Sequence, residues 1–128
     1  MTVLVIEDDV EMRVLLCDAL AVAGHRAIGR PDGREVAHLV ECERFDAVIL
    51  DKELPGPNGL ELLSFLRRRV PAVPVILVTA FGGAGVAAEA ASRGAYTCLE
   101  KPFRIATILS TLASVPLPPR SLGVRSRS

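Results

Sequence analysis

The chain has 128 residues, half of them hydrophobic, which suffices for one domain with a buried core that needs neither disulfides nor a structural metal. Its 15 basic and 15 acidic residues cancel, so the charge gives no reason to expect direct binding to nucleic acid or to a membrane surface. Three cysteines without metal-ligand spacing, and the lack of a signal-peptide pattern or a long apolar stretch, predict a soluble cytoplasmic protein with reduced thiols.

The amino-terminal part of the chain predicts a strand followed by a helix. Residues 3–6 form a short apolar run that stops at three acids, Glu7, Asp8 and Asp9. Asp9 is placed to cap a helix, and Gly24 is placed to end it. Between them, apolar residues recur at the spacing of one helical face: Met12, Leu15, Leu16, Ala19, Leu20 and Ala23.

Two more strands and a helix are predicted before the middle of the chain. Residues 25–30 form a weak strand, and Asp32 with Glu35 has the spacing of a capping pair for a second helix. Residues 46–51 are then an apolar run that ends in Asp51 and is followed by a loop rich in Pro, Gly and Asn. A run of this length bounded by turn residues is typical of a buried strand.

The same alternation continues in the second half. Asn58 and Glu61 have capping-box spacing for a third helix that ends in three arginines, residues 67–69. Strands are predicted at residues 75–78 and 96–100, each followed by a helical stretch. Beyond residue 114 the chain is rich in Pro, Arg and Ser without periodicity, so we expect one domain over residues 1–114 and a disordered tail or linker stub over residues 115–128.

Five strands that alternate with five helices predict an α/β fold with a doubly wound parallel sheet. The carboxyl ends of such strands meet at one edge, where ligands bind. The polar residues expected at that edge are Glu7, Asp8, Asp9, Asp51, Thr79 and Lys101.

The chemistry of this polar set favours phosphoryl transfer. Several carboxylates in one crevice repel each other, and a hard divalent cation such as Mg²⁺ relieves that repulsion. Thr79 and Lys101 could bind the remaining phosphoryl oxygens, and an aspartate such as Asp51 can itself form an acyl phosphate.

Four motifs carry a resemblance to a known family: Val5-Ile-Glu-Asp-Asp9, Asp51-x-x-Leu-Pro-x-x-Asn-Gly59, Val78-Thr-Ala80 and Lys101-Pro-Phe103. In this order, each at a predicted strand end, they resemble the receiver domain of bacterial two-component response regulators. The resemblance covers residues 2 to about 114. It implies a flavodoxin-like sheet with the strand order 2-1-3-4-5.

The resemblance assigns roles to the residues at the sheet edge. Asp51 matches the phosphoacceptor, Asp8 the direct ligand of Mg²⁺ (or Mn²⁺), and Glu7 the acid that acts through metal-bound water. The backbone carbonyl of Glu53 matches the position that completes the metal site. Thr79 matches the hydroxyl that binds the phosphoryl group and moves on activation.

The carboxyl-terminal motif completes these assignments. Lys101 matches the lysine that pairs with the phosphoryl oxygens, and its bond to Pro102 is commonly cis in this family. The family's switch aromatic precedes that lysine by three positions, where this chain has Cys98. The nearest aromatic residue is Tyr96, so either Tyr96 or another group substitutes for the missing ring, or the output face switches differently.

The implied function is a signalling switch. A sensor histidine kinase or a histidine phosphotransfer protein would phosphorylate Asp51, and an unknown output protein or domain would respond, with phosphorylation-dependent dimerisation as an open question. Self-phosphorylation from phosphodonors and autodephosphorylation are the only reactions expected. The sequence fits a stand-alone receiver and a receiver cut from a longer regulator equally well.

Two other classes use similar residues. A Mg²⁺-dependent haloacid-dehalogenase-like phosphatase would use Asp51 as a nucleophile but would want a second Asp where Glu53 stands. A Toprim-type domain would combine Glu7 with an Asp-x-Asp pair, which Asp51 and Glu53 imitate. Neither class explains Thr79 together with Lys101-Pro102.

Overall fold

A computed structural model of the chain describes residues 1–116, and in that range strands and helices alternate strictly. The predicted number, order and type of the elements are confirmed, and the strand ends differ from the predicted ones by one residue or less. The elements are β1 (Thr2–Ile6), α1 (Val10–Val22), β2 (Arg26–Arg30), α2 (Val36–Cys42), β3 (Ala47–Asp51), α3 (Gly59–Arg69), β4 (Val75–Thr79), α4 (Ala84–Ser92), β5 (Thr97–Glu100) and α5 (Ile105–Ser114).

The five strands form one parallel sheet in the order β2-β1-β3-β4-β5, as predicted. The winding direction reverses between β1 and β3, which are neighbours in the sheet although β2 lies between them in sequence. In an open parallel sheet the ligand crevice lies beyond the carboxyl ends of the strands at such a reversal. The register pairs Ile6 with Leu50, so the residues that follow β1 lie beside the end of β3.

Side chains of the central strands alternate between two apolar layers. On one side, Leu4 and Leu50 pack against α2, α3 and α4; on the other, Val5 and Ile49 pack against α1 and α5. Both faces of β3 and β4 are fully buried. Each buried Leu or Ile side chain contributes roughly 1.5–3 kcal/mol to folding, so the central strands form a stable base for the loops beyond them.

Two of the three helix N-caps predicted from the sequence are present in the structure. Asp9 caps α1 by accepting hydrogen bonds from the backbone N–H groups of Glu11 and Met12, and Asn58 with Glu61 forms a capping box on α3. The predicted cap of α2 is wrong. Asp32 instead accepts from the backbone and side chain of Arg34, so its carboxylate is held within the turn before α2 and does not reach the helix.

The carboxyl-terminal segment is described only in part. Val115, where the predicted tail begins, is buried beside α1 and α5. The remainder of that prediction, residues 117–128, lies outside the described residues. Within residues 1–116, no helix is long and apolar enough to cross a membrane.

The loop after β3 folds back tightly onto the start of α3. Gly59 donates its backbone N–H to the carbonyl of Lys52, at 2.9 Å. A Cβ atom on Gly59 would lie 2.4 Å from the carbonyl oxygen of Asp51 and 2.4 Å from the Cα of Lys52. Because both contacts are with backbone, a side chain at this position would displace the end of β3.

We therefore expect Gly59→Ala to lower the free energy of unfolding by at least about 2 kcal/mol, as overpacking of a rigid site does. Gly85→Ala is the matched control, since a Cβ at Gly85 in α4 meets nothing within 4 Å and alanine favours helix, stabilising by roughly 0.5 kcal/mol. Urea denaturation of both variants measures the difference. Equal stabilities would contradict the close approach of the two backbone segments.

Candidate functional site

Buried carboxylates lie at the carboxyl edge of the sheet. Glu7 directly follows β1 and Asp51 ends β3, and only 1% and 2% of their surfaces are exposed. Arg13 on α1 fixes the end of β1 by donating from Nη1 to the carbonyl of Glu7, at 2.7 Å. The apolar strands on either side thus deliver two acids to a position where water reaches them poorly.

Glu7, Asp8 and Asp51 form a group that could hold a cation. One carboxylate oxygen from each lies within 4.8 Å of the other two, and Asp8 faces solvent while the other two are buried. Three hard oxygen donors with one open side suit Mg²⁺, which retains several water ligands. The donor set therefore fits the expected metal.

Lys101 opposes these carboxylates from the end of β5. Its Nζ lies 2.8 Å from Oε1 of Glu7 and 3.5 Å from Oδ1 of Asp51, and the Lys101–Pro102 peptide bond is cis, as the resemblance implied. Burial alone would lower the pKa of Lys101. The hydrogen bond to Glu7 and the charges of Asp51 and Glu7 outweigh burial, so the pKa of Lys101 lies above its ordinary value.

The positive charge near Asp51 is too small to keep the pKa of this residue at its ordinary value. Burial, followed by the hydrogen bond and charge of Glu7, raises the pKa of Asp51 to about 7. The backbone N–H of Glu53, which donates to Oδ1 of Asp51 at 3.1 Å, and the charge of Lys101 oppose that rise without cancelling it. A bound divalent cation would add the missing charge and favour the ionised form of Asp51.

Glu53 has a side-chain role that its sequence position did not reveal. Its Oε2 accepts a hydrogen bond from the Thr79 hydroxyl at 2.6 Å, and its Oε1 accepts from the backbone N–H of Ala80 at 2.9 Å. Burial tends to raise the pKa of Glu53, but these two hydrogen bonds and nearby Lys52 lower it overall. Only the backbone carbonyl of Glu53 was assigned from sequence, and no periodicity or motif signals the contact across the loop.

Thr79 is held firmly in place at the end of β4. The residue is fully buried, and its hydroxyl oxygen also accepts from the backbone N–H of Phe81 at 3.0 Å. The Phe81 side chain is 71% exposed. The predicted phosphoryl-binding hydroxyl therefore lies at the expected strand end, with its single proton donated to Glu53.

The two candidate switch residues, Cys98 in β5 and Tyr96 just before it, lie in different surroundings. Cys98 is half-buried and packs against the apolar layer under α2, α3 and α4. Tyr96 precedes β5, and its hydroxyl lies 3.0 Å and 2.8 Å from the carbonyl and Oγ of Ser114 at the end of α5. Its backbone N–H bonds to Val75 at the start of β4, so it lies roughly four residues, or 13 Å, along the strands from Thr79.

Because Asp51 has a raised pKa in the folded protein, the metal-free protein should lose stability as the pH rises. The folded state retains a proton on Asp51 between the ordinary pKa of 3.8 and about 7, a window in which the unfolded chain releases it. Above that window, ionised Asp51 costs on the order of 2–4 kcal/mol, since each pKa unit is worth about 1.4 kcal/mol. Asp51→Asn should therefore stabilise the protein at about pH 8 and have little effect near pH 4.

Thermal or urea denaturation in a metal chelator, with exposed Asp18→Asn as the control, measures this difference. Added Mg²⁺ should stabilise the wild type and reduce the advantage of Asp51→Asn. A variant no more stable than the wild type at about pH 8 would show that the carboxylates do not repel each other as the geometry requires.

Comparison with known proteins agrees with this geometry. The family model described as the response regulator receiver domain matches residues 3–113. The response regulator protein FleR of Pseudomonas aeruginosa is 37% identical over 111 residues, which cover 87% of this chain and 24% of FleR. Sporulation initiation phosphotransferase F of Bacillus subtilis is 31% identical over 103 residues, which cover 80% of this chain and 83% of that protein.

Solved structures show the same fold. The Vibrio cholerae chemotaxis protein CheY4 has a TM-score of 0.84 and 29% identity, with 90% of this chain and 98% of that chain covered. The beryllofluoride-activated NtrC4 receiver domain dimer has a TM-score of 0.83 and 28% identity, with 88% and 93% covered.

The chain spans only about a quarter to a half of the first curated relatives that it matches. These relatives give no support to a haloacid-dehalogenase-like phosphatase or a Toprim-type domain. The family match covers nearly all of the part that the structure describes, together with the edge at which Asp51, Thr79 and Lys101 meet. The chain therefore belongs to the receiver domain family of the response regulators.

Proposed function

We propose that this receiver is switched by phosphorylation of Asp51, with Mg²⁺ (or Mn²⁺) held by Glu7, Asp8, Asp51 and the backbone carbonyl of Glu53. The observation that carries the proposal is the position of Lys101. Its Nζ lies within 3.5 Å of both buried acids, in the open crevice at the reversal of the sheet. A carboxylate nucleophile beside a fixed cation is suited to accept a phosphoryl group.

In the proposed reaction a carboxylate oxygen of Asp51 attacks the phosphorus of a phosphohistidine in line. The new O–P bond forms as the N–P bond breaks, and the imidazole nitrogen retains the bonding electrons and takes up a proton. Lys101 offsets the negative charge on the phosphoryl oxygens. The metal supplies further positive charge to those oxygens when bound.

The donor and the response extend the proposal beyond this chain. A sensor histidine kinase or a histidine phosphotransfer protein would donate the phosphoryl group, and an unknown output protein or domain would read the result. The name of the related phosphotransferase F supports phosphoryl transfer, and the activated NtrC4 dimer supports phosphorylation-dependent dimerisation. Residues 1–114 would act as the receiver unit in the cytoplasm, without contact to a membrane or to nucleic acid.

The start of α4 is a segment with few stabilising contacts at its cap, through which phosphorylation could act. Helix α4 follows Gly82 and Gly83, has no side-chain cap, and begins after Gly83 at a φ of 129°. Thr79 and Ala80 directly precede this segment in the chain. A new anion on Asp51 would therefore change the contacts made just before α4 begins. We propose that the change spreads to α4, β5 and α5 through Thr79, Cys98 and Tyr96.

Incubation with Mg²⁺ and acetyl phosphate tests the phosphoacceptor assignment. We expect intact-mass spectrometry to detect one added phosphoryl group, lost after alkaline treatment as an acyl phosphate is, and not formed when a chelator is present. Asp51→Asn should abolish the modification, whereas Asp9→Asn, which changes the adjacent helix cap, should retain it. An unmodified wild type, or a variant at Asp51 modified to the same extent, would refute the assignment.

A further inference from the structure

The side chain of Glu53 occupies two hydrogen-bond donors at the end of β4, and one of them is the Thr79 hydroxyl expected to bind the phosphoryl group. Thr79 has one hydroxyl proton and Ala80 has one amide proton, and the structure directs both to the Glu53 carboxylate. Thr79 is the residue proposed to bind the phosphoryl group. Ala80 follows it directly, and its N–H lies beyond the end of the β4–β5 pairing, whose last pair is Thr79 with Glu100. A donor with one proton serves one strong acceptor at a time.

The geometry places Glu53 between the phosphoacceptor and these donors. Its backbone N–H donates to Oδ1 of Asp51, while its side chain reaches Thr79 and Ala80. Asp51 pairs with Val78, the residue before Thr79, so a phosphoryl group on Asp51 would lie next to the same donors. The two anions would then compete for two protons and repel each other.

We propose that the Glu53 carboxylate is an intramolecular competitor of the phosphoryl group, bound to Thr79 and Ala80 in the unmodified protein and displaced when Asp51 is phosphorylated. The inference rests on the proposed function and assigns to Glu53 a positioning role beyond its backbone carbonyl.

Lys52 provides a place for the displaced carboxylate. Its Nζ lies 3.4 Å from Oε2 of Glu53, and both side chains are partly exposed, at 24% and 29%. Rotation of Glu53 towards Lys52 and solvent would keep the carboxylate partnered while it frees Thr79 and Ala80. The exchange therefore leaves no buried charge without a partner.

Competition of this kind lowers the apparent affinity for any phosphoryl analogue. The measured dissociation constant equals the intrinsic constant divided by the fraction of molecules in which the donors are free. Two hydrogen bonds to a carboxylate keep that free fraction low, so we expect removal of the carboxylate to increase the affinity about tenfold. In the unmodified protein, the Glu53 carboxylate already holds the Thr79 hydroxyl before any phosphoryl group is present.

Equilibrium binding of beryllofluoride at saturating Mg²⁺ tests the inference, because it separates affinity from the rates of phosphorylation and hydrolysis. Wild type, Glu53→Ala and Glu53→Gln should be titrated and followed by the backbone amide signals. Glu53→Ala should bind about tenfold more tightly, and Glu53→Gln should also bind more tightly, since a neutral amide accepts from these donors more weakly than a carboxylate. Exposed Glu100→Gln removes the same charge without these contacts and should leave the affinity unchanged.

The amide signal of Ala80 gives a second readout that a general structural effect would not move. In the unmodified protein it should shift upfield in Glu53→Ala, because the N–H loses its carboxylate acceptor, and it should not move in Glu100→Gln. Unchanged or weaker beryllofluoride binding by Glu53→Ala would overturn the inference alone, and so would an Ala80 signal that does not move. If the wild type binds beryllofluoride no better than Asp51→Asn, the proposed function fails as well.

Discussion

The site depends on the crowding of negative charge at one edge of a buried sheet. Glu7 and Asp51 are almost fully buried, Asp8 joins them from the surface, and Lys101 is the cation in direct contact with this group among the described residues. The strands cannot separate the acids, because the register fixes β1 beside β3 and both layers of the core hold them there. The repulsion is therefore built into the fold, and ligands that bring positive charge relieve it.

The hydrogen bonds beside this cluster also explain how a change at Asp51 can affect the rest of the molecule. Glu53 is joined to Asp51 through its backbone N–H and to β4 through Thr79 and Ala80. A change in charge at Asp51 therefore acts directly on this residue. Thr79 and Ala80 lie directly before the segment that starts α4, so Glu53 links the acidic cluster to α4, while Lys101 links it to β5.

Most of the fold could be predicted from sequence because hydrophobic periodicity and turn residues are local signals. Continuous apolar runs marked β3 and β4, and the spacing of Asn58 and Glu61 marked the start of α3. The cap of α2 could not be predicted, because Asp32 has two local donors to choose from and Arg34 competes successfully. The positions of Asp51, Thr79 and Lys101 followed from strand ends, whereas the contact of Glu53 depends on how the loop folds back over Gly59. The surroundings of Cys98 and Tyr96 likewise depend on packing between β5, α4 and α5.

The most direct test of the account is a crystal structure of the protein with Mg²⁺ and beryllofluoride. We expect the metal among Glu7, Asp8 and Asp51, the fluoride atoms within hydrogen-bond distance of Lys101, Thr79 and the Ala80 N–H, and the Glu53 carboxylate turned away towards Lys52. Beryllofluoride bound elsewhere would contradict Asp51 as the phosphoacceptor. A bound analogue with Glu53 still on Thr79 and Ala80 would contradict the exchange that links the site to α4.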